Sequence, residues 1–143
     1  MNNTKKVICF ILLLYCLPGI AKTSINEGWS MSQASVNHVF TVKLFCKEAP
    51  QIGSFQQCWL DVLGLRQQIL GRKLKGLNIA LSGGMPAHHH GLPTEPVVKW
   101  SAENETYLIE GLKFSMPGKW QLQFYINDPV NMLKDIATLK VNL

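Results

Sequence analysis

The chain has 143 residues, of which 47% are apolar and 16% are charged, and its formal net charge at pH 7 is +5. This composition suits one compact domain with a buried core, unlike a disordered chain, and fibrous, collagenous and multi-span membrane classes are excluded. The basic residues are scattered apart from Arg72, Lys73 and Lys75, whereas nucleic-acid binding requires a clustered basic face. We therefore expect no nucleic-acid partner.

The first 21 residues have the three parts of a secretory signal. Lys5 and Lys6 precede an apolar run of 11 residues, 7–17, and Pro18-Gly19 follows it. This run is shorter than the roughly 20 helical residues that cross a bilayer. The sequence predicts cleavage after Ala21, export to the periplasm and no stable membrane span in the mature chain. An uncleaved anchor and a lipid attached at Cys16 are the weaker alternatives.

Residues 22–37 are largely polar and aperiodic, so they are predicted to be an N-terminal lead-in to a domain over residues 38–143. Cleavage of the signal would leave Cys46 and Cys58 as an even pair in an oxidising compartment. The sequence therefore predicts one disulfide between them. Two buried thiols that pack as small apolar side chains are the alternative.

Apolar and polar residues alternate in segments that are typical of half-buried β-strands. Clear alternation occurs at 40–44, 120–126 and 137–143, and weaker strand candidates lie at 58–63, 77–82, 97–101 and 107–115. About seven short strands without regular helices favour an all-β fold, an immunoglobulin-like antiparallel β-sandwich. A closed barrel is the alternative.

The strand phases predict which side chains form the core. The ten expected core residues are Phe40, Val42, Leu112, Phe114, Trp120, Leu122, Phe124, Ile126, Leu139 and Val141. A bulge at Gly111 would keep the apolar residues of 107–116 on one face. Residues 116–119 match a type II turn, which is predicted to close a hairpin onto Trp120.

Residues 83–96 (GGMPAHHHGLPTEP), here called the His loop, hold three of the four histidines. Imidazole beside thioether sulfur favours copper, as Cu(I), over zinc. In an extended segment His88 and His90 share one side and His89 faces the other. In an antiparallel sandwich each strand reverses the direction of the chain. Following these directions from the His loop places Met116 at the same end of the sandwich as the loop, and His38 at the opposite end.

The predicted metal ligands are therefore His88 and His90 with Met116 or Met85. The alternative is that the Gly, Pro and His residues of the loop serve only to form turns. The imidazoles would then be solvated or would cap backbone groups, and both methionines would fill gaps in the core.

The His loop, followed by residues 107–120 (YLIEGLKFSMPGKW), resembles the YtkA-like domain of exported bacterial proteins, which is related to the FixH group. Those domains typically carry a GGMPxHxHGLPT loop and then a YxVxGxxFxMxGxW segment. The resemblance covers about residues 38–143 and implies an immunoglobulin-like sandwich and a link to copper handling and cytochrome oxidase assembly. The matching positions are Met85, His88, His90, Phe114, Met116, Gly118 and Trp120.

Two features depart from that family pattern. His89 stands where the family usually has glycine, and the pair Cys46 and Cys58 is not part of the pattern. The predicted disulfide therefore rests on two arguments alone. The cysteines form an even pair, and the strand phases put both of them inward at facing strand ends, since Cys46 continues the alternation of 40–44 and Cys58 leads that of 58–63.

Two functions follow as hypotheses. The first is an exported, non-enzymatic domain that binds a soft transition metal such as copper through the His loop and a methionine. The alternative is a periplasmic protein-interaction module whose GGMPAHHHGLPT loop is structural. The sequence shows no recognisable catalytic arrangement of serine, histidine and acid. It also shows no carboxylate cluster and no phosphate-binding loop, so the chain is predicted not to be an enzyme. The sequence predicts no particular oligomeric state.

Overall fold

A computed structural model describes residue 25 and residues 28–65 and 72–143. The predicted signal, residues 1–21, and the first part of the predicted lead-in lie outside the described residues. The described chain forms nine β-strands: β1 (Trp29–Ala34), β2 (Phe40–Cys46), β3 (Cys58–Gly64), β4 (Asn78–Met85), β5 (His90–Gly91), β6 (Val97–Ser101), β7 (Thr106–Glu110), β8 (Lys119–Asp128) and β9 (Leu133–Asn142). The predicted all-β class is confirmed.

Two of the nine strands are additional to the predicted seven. β1 lies in the segment that is predicted to be a lead-in. Its sequence does not indicate a strand, because Trp29 and Met31 are its only large apolar residues and their alternation is short. β5 has two residues and forms only where the His loop folds back on β4. Over the ranges that the structure describes, no helix is long and apolar enough to cross a membrane.

The strands form one antiparallel sheet in the order β1-β2-β3-β7-β6-β4-β8-β9, with β5 added to β4. β6 and β4 share one residue pair, Ala80–Val97, whereas β4 and β8 share seven. This weak junction divides the sheet into two layers, β1-β2-β3-β7-β6 and β4-β8-β9. At the other margin the amide of Val36 donates to the carbonyl of Ile136 at 2.9 Å. The fold is thus a sandwich that nearly closes into a barrel.

The core lies between these two layers, and all ten side chains predicted to form it are buried. β3 turns Cys58, Leu60 and Val62 inward, while Trp59 is half-buried and stacks on Phe45 with ring centroids 5.8 Å apart. The predicted disulfide is present: Cys46 and Cys58 lie directly opposite each other on β2 and β3, with their Cα atoms 4.0 Å apart. It closes the connection 47–57.

The connection 111–118 differs from its predicted form. Gly111 has a φ of 79°, and Leu112 and Phe114 after it are buried, as the predicted bulge requires. The predicted hairpin between β7 and β8 is wrong, because β7 pairs with β3 and β6 whereas β8 pairs with β4 and β9. Gly118 instead exchanges two backbone hydrogen bonds with Leu143, which follows β9. The connection therefore crosses from one layer to the other.

Trp120 is expected to be the most costly aromatic residue to remove. It is fully buried, its ring meets the Phe114 ring edge-on at 5.3 Å, and its Nε1 donates to the carbonyl of Met116 at 3.0 Å. Trp120→Ala should lower the free energy of unfolding by about 3–5 kcal/mol, measured by urea denaturation. Phe55→Ala, which removes a ring that is 66% exposed, is the control and should have a much smaller effect. Equal losses for the two variants would contradict this packing.

Candidate metal-binding site

The histidines of the His loop lie on a tight turn between β4 and β5. β4 ends at Met85, the chain turns over residues 86–89, and His90 pairs directly with Met85. The amide of His88 donates to the carbonyl of Met85 at 3.0 Å, and Pro86 supplies the fixed φ that suits the second position of such a turn. His89 has a φ of 53°, in the left-handed region.

This turn corrects the expectation that His88 and His90 share a side through strand alternation, because residues 86–89 are not extended. All three imidazoles are exposed. His89 and His90 line a shallow cavity of about 300 Å³ together with Gln121 and Gln123 of β8, and His88 is not among its lining residues. The turn thus places His89, rather than His88, beside His90 on this surface.

Met85 and Met116 both lie at the His-loop end of the sandwich, as the strand directions predicted. Met85 is only 2% exposed, whereas His90, its partner in the β4–β5 pairing, is exposed. The methyl group of Met85 packs on Gly118, where an added Cβ would overlap it. Met116, two residues before Gly118, is half-buried.

His38 lies at the opposite end, as predicted. It follows Asn37 in the turn between β1 and β2, and the Asn37 amide donates to the carboxylate of Asp135 at 3.0 Å. Asp135 is paired with Ile126, near the far end of β8. The structure therefore separates His38 from the other three histidines.

Several other residues of the His loop hold its backbone in place, and the sequence did not single them out. Gly83 leaves room for Leu92 and Leu122, whose side chains would lie within 3.0 Å of an added Cβ. The amide of Leu92 donates to the carbonyl of Gly83 at 3.0 Å. The hydroxyl of Thr94 donates to the carbonyl of Gly111 at 2.6 Å. The loop is thus tied both to β8 and to the connection 111–118.

The imidazoles have no such role in the fold. In the part of the chain that the structure describes, no hydrogen bond or ion pair involves the side chain of His88, His89 or His90. No group of three or more His, Cys, Asp and Glu side chains suited to a metal ion occurs among the described residues. The predicted ligand set of imidazoles and a thioether therefore stays a prediction, and its chemistry suits a soft ion such as Cu(I).

The fold and this loop define a class of protein, an antiparallel β-sandwich with a histidine-bearing hairpin at one end. A family model described as YtkA-like matches residues 63–124, a range that includes the whole His loop and the start of β8. Over this segment the chain is similar to the YtkA-like family. No curated protein and no solved structure gives a significant match to the chain. The relation to the FixH group stays a prediction.

Gly118 is expected to be required for the packing of Met85. Gly118→Ala would place a methyl group on the methyl of Met85 and would also strain a backbone with a φ of 131°. Because overpacking a core costs about 1–3 kcal/mol, we expect a loss of that size in the free energy of unfolding, measured by urea denaturation.

Gly53→Ala is the matched control for Gly118→Ala. Gly53 also has a positive φ, 84°, but an added Cβ there would meet no atom within 4 Å. Gly53→Ala therefore reports backbone strain without a clash. Equal losses in the free energy of unfolding for the two variants would show that the contact between Gly118 and Met85 does not contribute to stability.

Proposed function

We propose that this YtkA-like domain binds Cu(I) at the His loop, through two imidazoles and one thioether. The imidazole ligands come from His90 with His88 or His89, and the thioether comes from Met116 or Met85. Imidazole suits copper among other transition metals, and thioether sulfur selects its soft, reduced form.

The observation that carries this proposal is the contrast between the imidazoles and their neighbours. Met85, Phe114 and Trp120 pack in the core, and Thr94 bonds to the connection 111–118. The imidazoles are exposed on a turn whose ends are joined by the Met85–His90 pair. A turn fixed in this way presents donor atoms with little conformational freedom left to lose on binding a metal.

The two methionines differ in how a metal could reach them. Met85 is covered by Gly118 and its neighbours, so its sulfur becomes a ligand only if the connection 111–118 moves. Met116 lies on that connection and is half-buried. Met116 is therefore the preferred thioether ligand in this proposal.

We infer further that the domain acts after export, in the periplasm, and that it is not an enzyme. The disulfide between Cys46 and Cys58 supports the first inference, because such bonds persist in oxidising compartments. The second rests on the His loop itself, where the nearest carboxylate in sequence is Glu95. No carboxylate is among the described residues that line the cavity beside His89 and His90.

The proposal predicts that His88→Ala/His90→Ala loses tight Cu(I) binding, measured by competition with a chromophoric Cu(I) chelator. The thermal midpoint should stay nearly unchanged, because neither imidazole has a hydrogen-bond or ion-pair partner among the described residues. His89→Asn, in which asparagine tolerates the left-handed backbone, tests whether His89 is the second imidazole ligand. His38→Asn is the control, since His38 is also exposed at positive φ but lies at the far end of the sandwich.

Unchanged Cu(I) affinity in both loop variants would contradict the proposal. The alternative, an interaction module with a structural His loop, would then be the better account. That alternative is favoured by the structural positions of Gly83, Leu92 and Thr94, which hold the loop backbone through contacts within the protein.

A further inference from the structure

The disulfide closes a ring of backbone at the His-loop end of the sandwich. Residues 47–57, here called the disulfide loop, run from Cys46 at the end of β2 to Cys58 at the start of β3, and the bond between the two cysteines joins the ends of the loop. Cys58 also pairs with Ile109 on β7, and the connection 111–118 follows β7. The disulfide loop therefore starts beside the connection that carries Met116.

One side chain braces the interior of the disulfide loop. The Oε1 atom of Gln56 accepts a hydrogen bond from the amide of Gln51 at 3.0 Å. Its Nε2 atom donates to the carbonyl of Gln51 at 2.8 Å and to the carbonyl of Ser54 at 2.7 Å. A single carboxamide thus satisfies three backbone groups of the loop. Gln51 takes part through its backbone alone, since its side chain makes no hydrogen bond within the described ranges.

The braced loop is attached to the connection 111–118. The amide of Gly53 donates to the carbonyl of Phe114, and the amide of Gln56 donates to the carbonyl of Leu112, both at 2.8 Å. These bonds belong to two isolated β-bridges between the loop and the connection. Gln56 therefore acts twice, because its side chain closes the loop and its backbone amide holds the connection.

Met116 lies between two backbone attachments of the connection. On its N-terminal side, the disulfide loop holds the carbonyl of Phe114. On its C-terminal side, Trp120 donates from Nε1 to the carbonyl of Met116 itself at 3.0 Å. The side chain of Met116 is half-buried and packs against the core. The path of the backbone at Met116 thus depends on the loop as well as on Trp120.

We propose that the disulfide loop positions Met116 as the thioether ligand of the copper site, a role that rests on the copper binding proposed above. Gln56 and the disulfide between Cys46 and Cys58 are positioning residues in this account. They do not touch the ion, but they fix the backbone that carries its sulfur ligand. Groups that orient a metal ligand in this way typically change metal affinity by about 10–100-fold when they are removed.

Gln56→Ala tests this role, because it removes the brace and leaves the core intact. It should weaken Cu(I) binding about tenfold, measured by competition with a chromophoric Cu(I) chelator. Gln51→Ala is the matched control, since it removes the same side chain from the same loop but keeps the backbone groups that bond to Gln56, and it should bind Cu(I) like the wild type. Cys46→Ala/Cys58→Ala opens the ring and should weaken binding at least as much as Gln56→Ala.

A double-mutant cycle shows whether Gln56 acts through Met116. The sulfur ligand is already absent in Met116→Leu, so adding Gln56→Ala to that variant should cause no further loss of Cu(I) affinity. A purely structural effect of Gln56 would be independent of Met116, and the two losses would add. In the metal-free protein, nuclear magnetic resonance of the Met116 methyl group should show a lower order parameter in Gln56→Ala than in Gln51→Ala.

Three results would overturn the positioning role and leave the copper proposal intact. One is wild-type Cu(I) affinity in Gln56→Ala or in a folded Cys46→Ala/Cys58→Ala variant. Another is an equal loss of affinity on adding Gln56→Ala with and without Met116. The third is a Met116 methyl order parameter that Gln56→Ala leaves unchanged. A wild-type chain that binds no Cu(I) would instead overturn the copper proposal and this role together.

Discussion

The burial of Trp120 between the two layers is the interaction on which the candidate site depends. Its indole nitrogen holds the carbonyl of Met116, and its ring fills the core against Phe114. This fixes the connection 111–118 where it crosses between layers. Gly118, on that connection, then covers Met85, and Met85 is the residue opposite His90. The position of an exposed histidine is thus determined through a short series of contacts that begins in the core.

The same series explains how an exposed loop can have a fixed backbone. Most loops at the end of a sandwich have few buried contacts and open readily. Here the His loop is tied at three places: the Met85–His90 pair, the bond from Leu92 to Gly83, and the bond from Thr94 to Gly111. The backbone of the loop is already ordered in the folded protein. The ligand side chains therefore lose less conformational entropy when an ion binds.

The strand phases could be predicted from the sequence because burial imposes a period of two on both layers. Trp120, Leu122 and Phe124 on β8 follow that rule without exception. The disulfide could be predicted because the two cysteines occupy facing strand ends. The direction count placed Met116 and His38 at opposite ends because it depends only on antiparallel order, which the sheet obeys.

The remaining features depend on contacts that a local pattern does not contain. A Pro-Gly turn at 117–118 looks the same whether it closes a hairpin or crosses between layers, and the choice is made by the two backbone hydrogen bonds that Gly118 and Leu143 exchange. The left-handed backbone of His89 arises in the tight turn after Pro86, so alternation fails there.

X-ray absorption spectroscopy of the Cu(I)-loaded protein is the most direct test of the central claim, that this end of the fold combines imidazole and thioether ligands. The account predicts nitrogen and sulfur scatterers together in the first shell of the wild type, and loss of the sulfur scatterer in Met116→Leu with the nitrogen scatterers retained. A first shell of nitrogen or oxygen alone in the wild type would contradict the claim, and so would a copper spectrum unaffected by replacing the histidines of the loop.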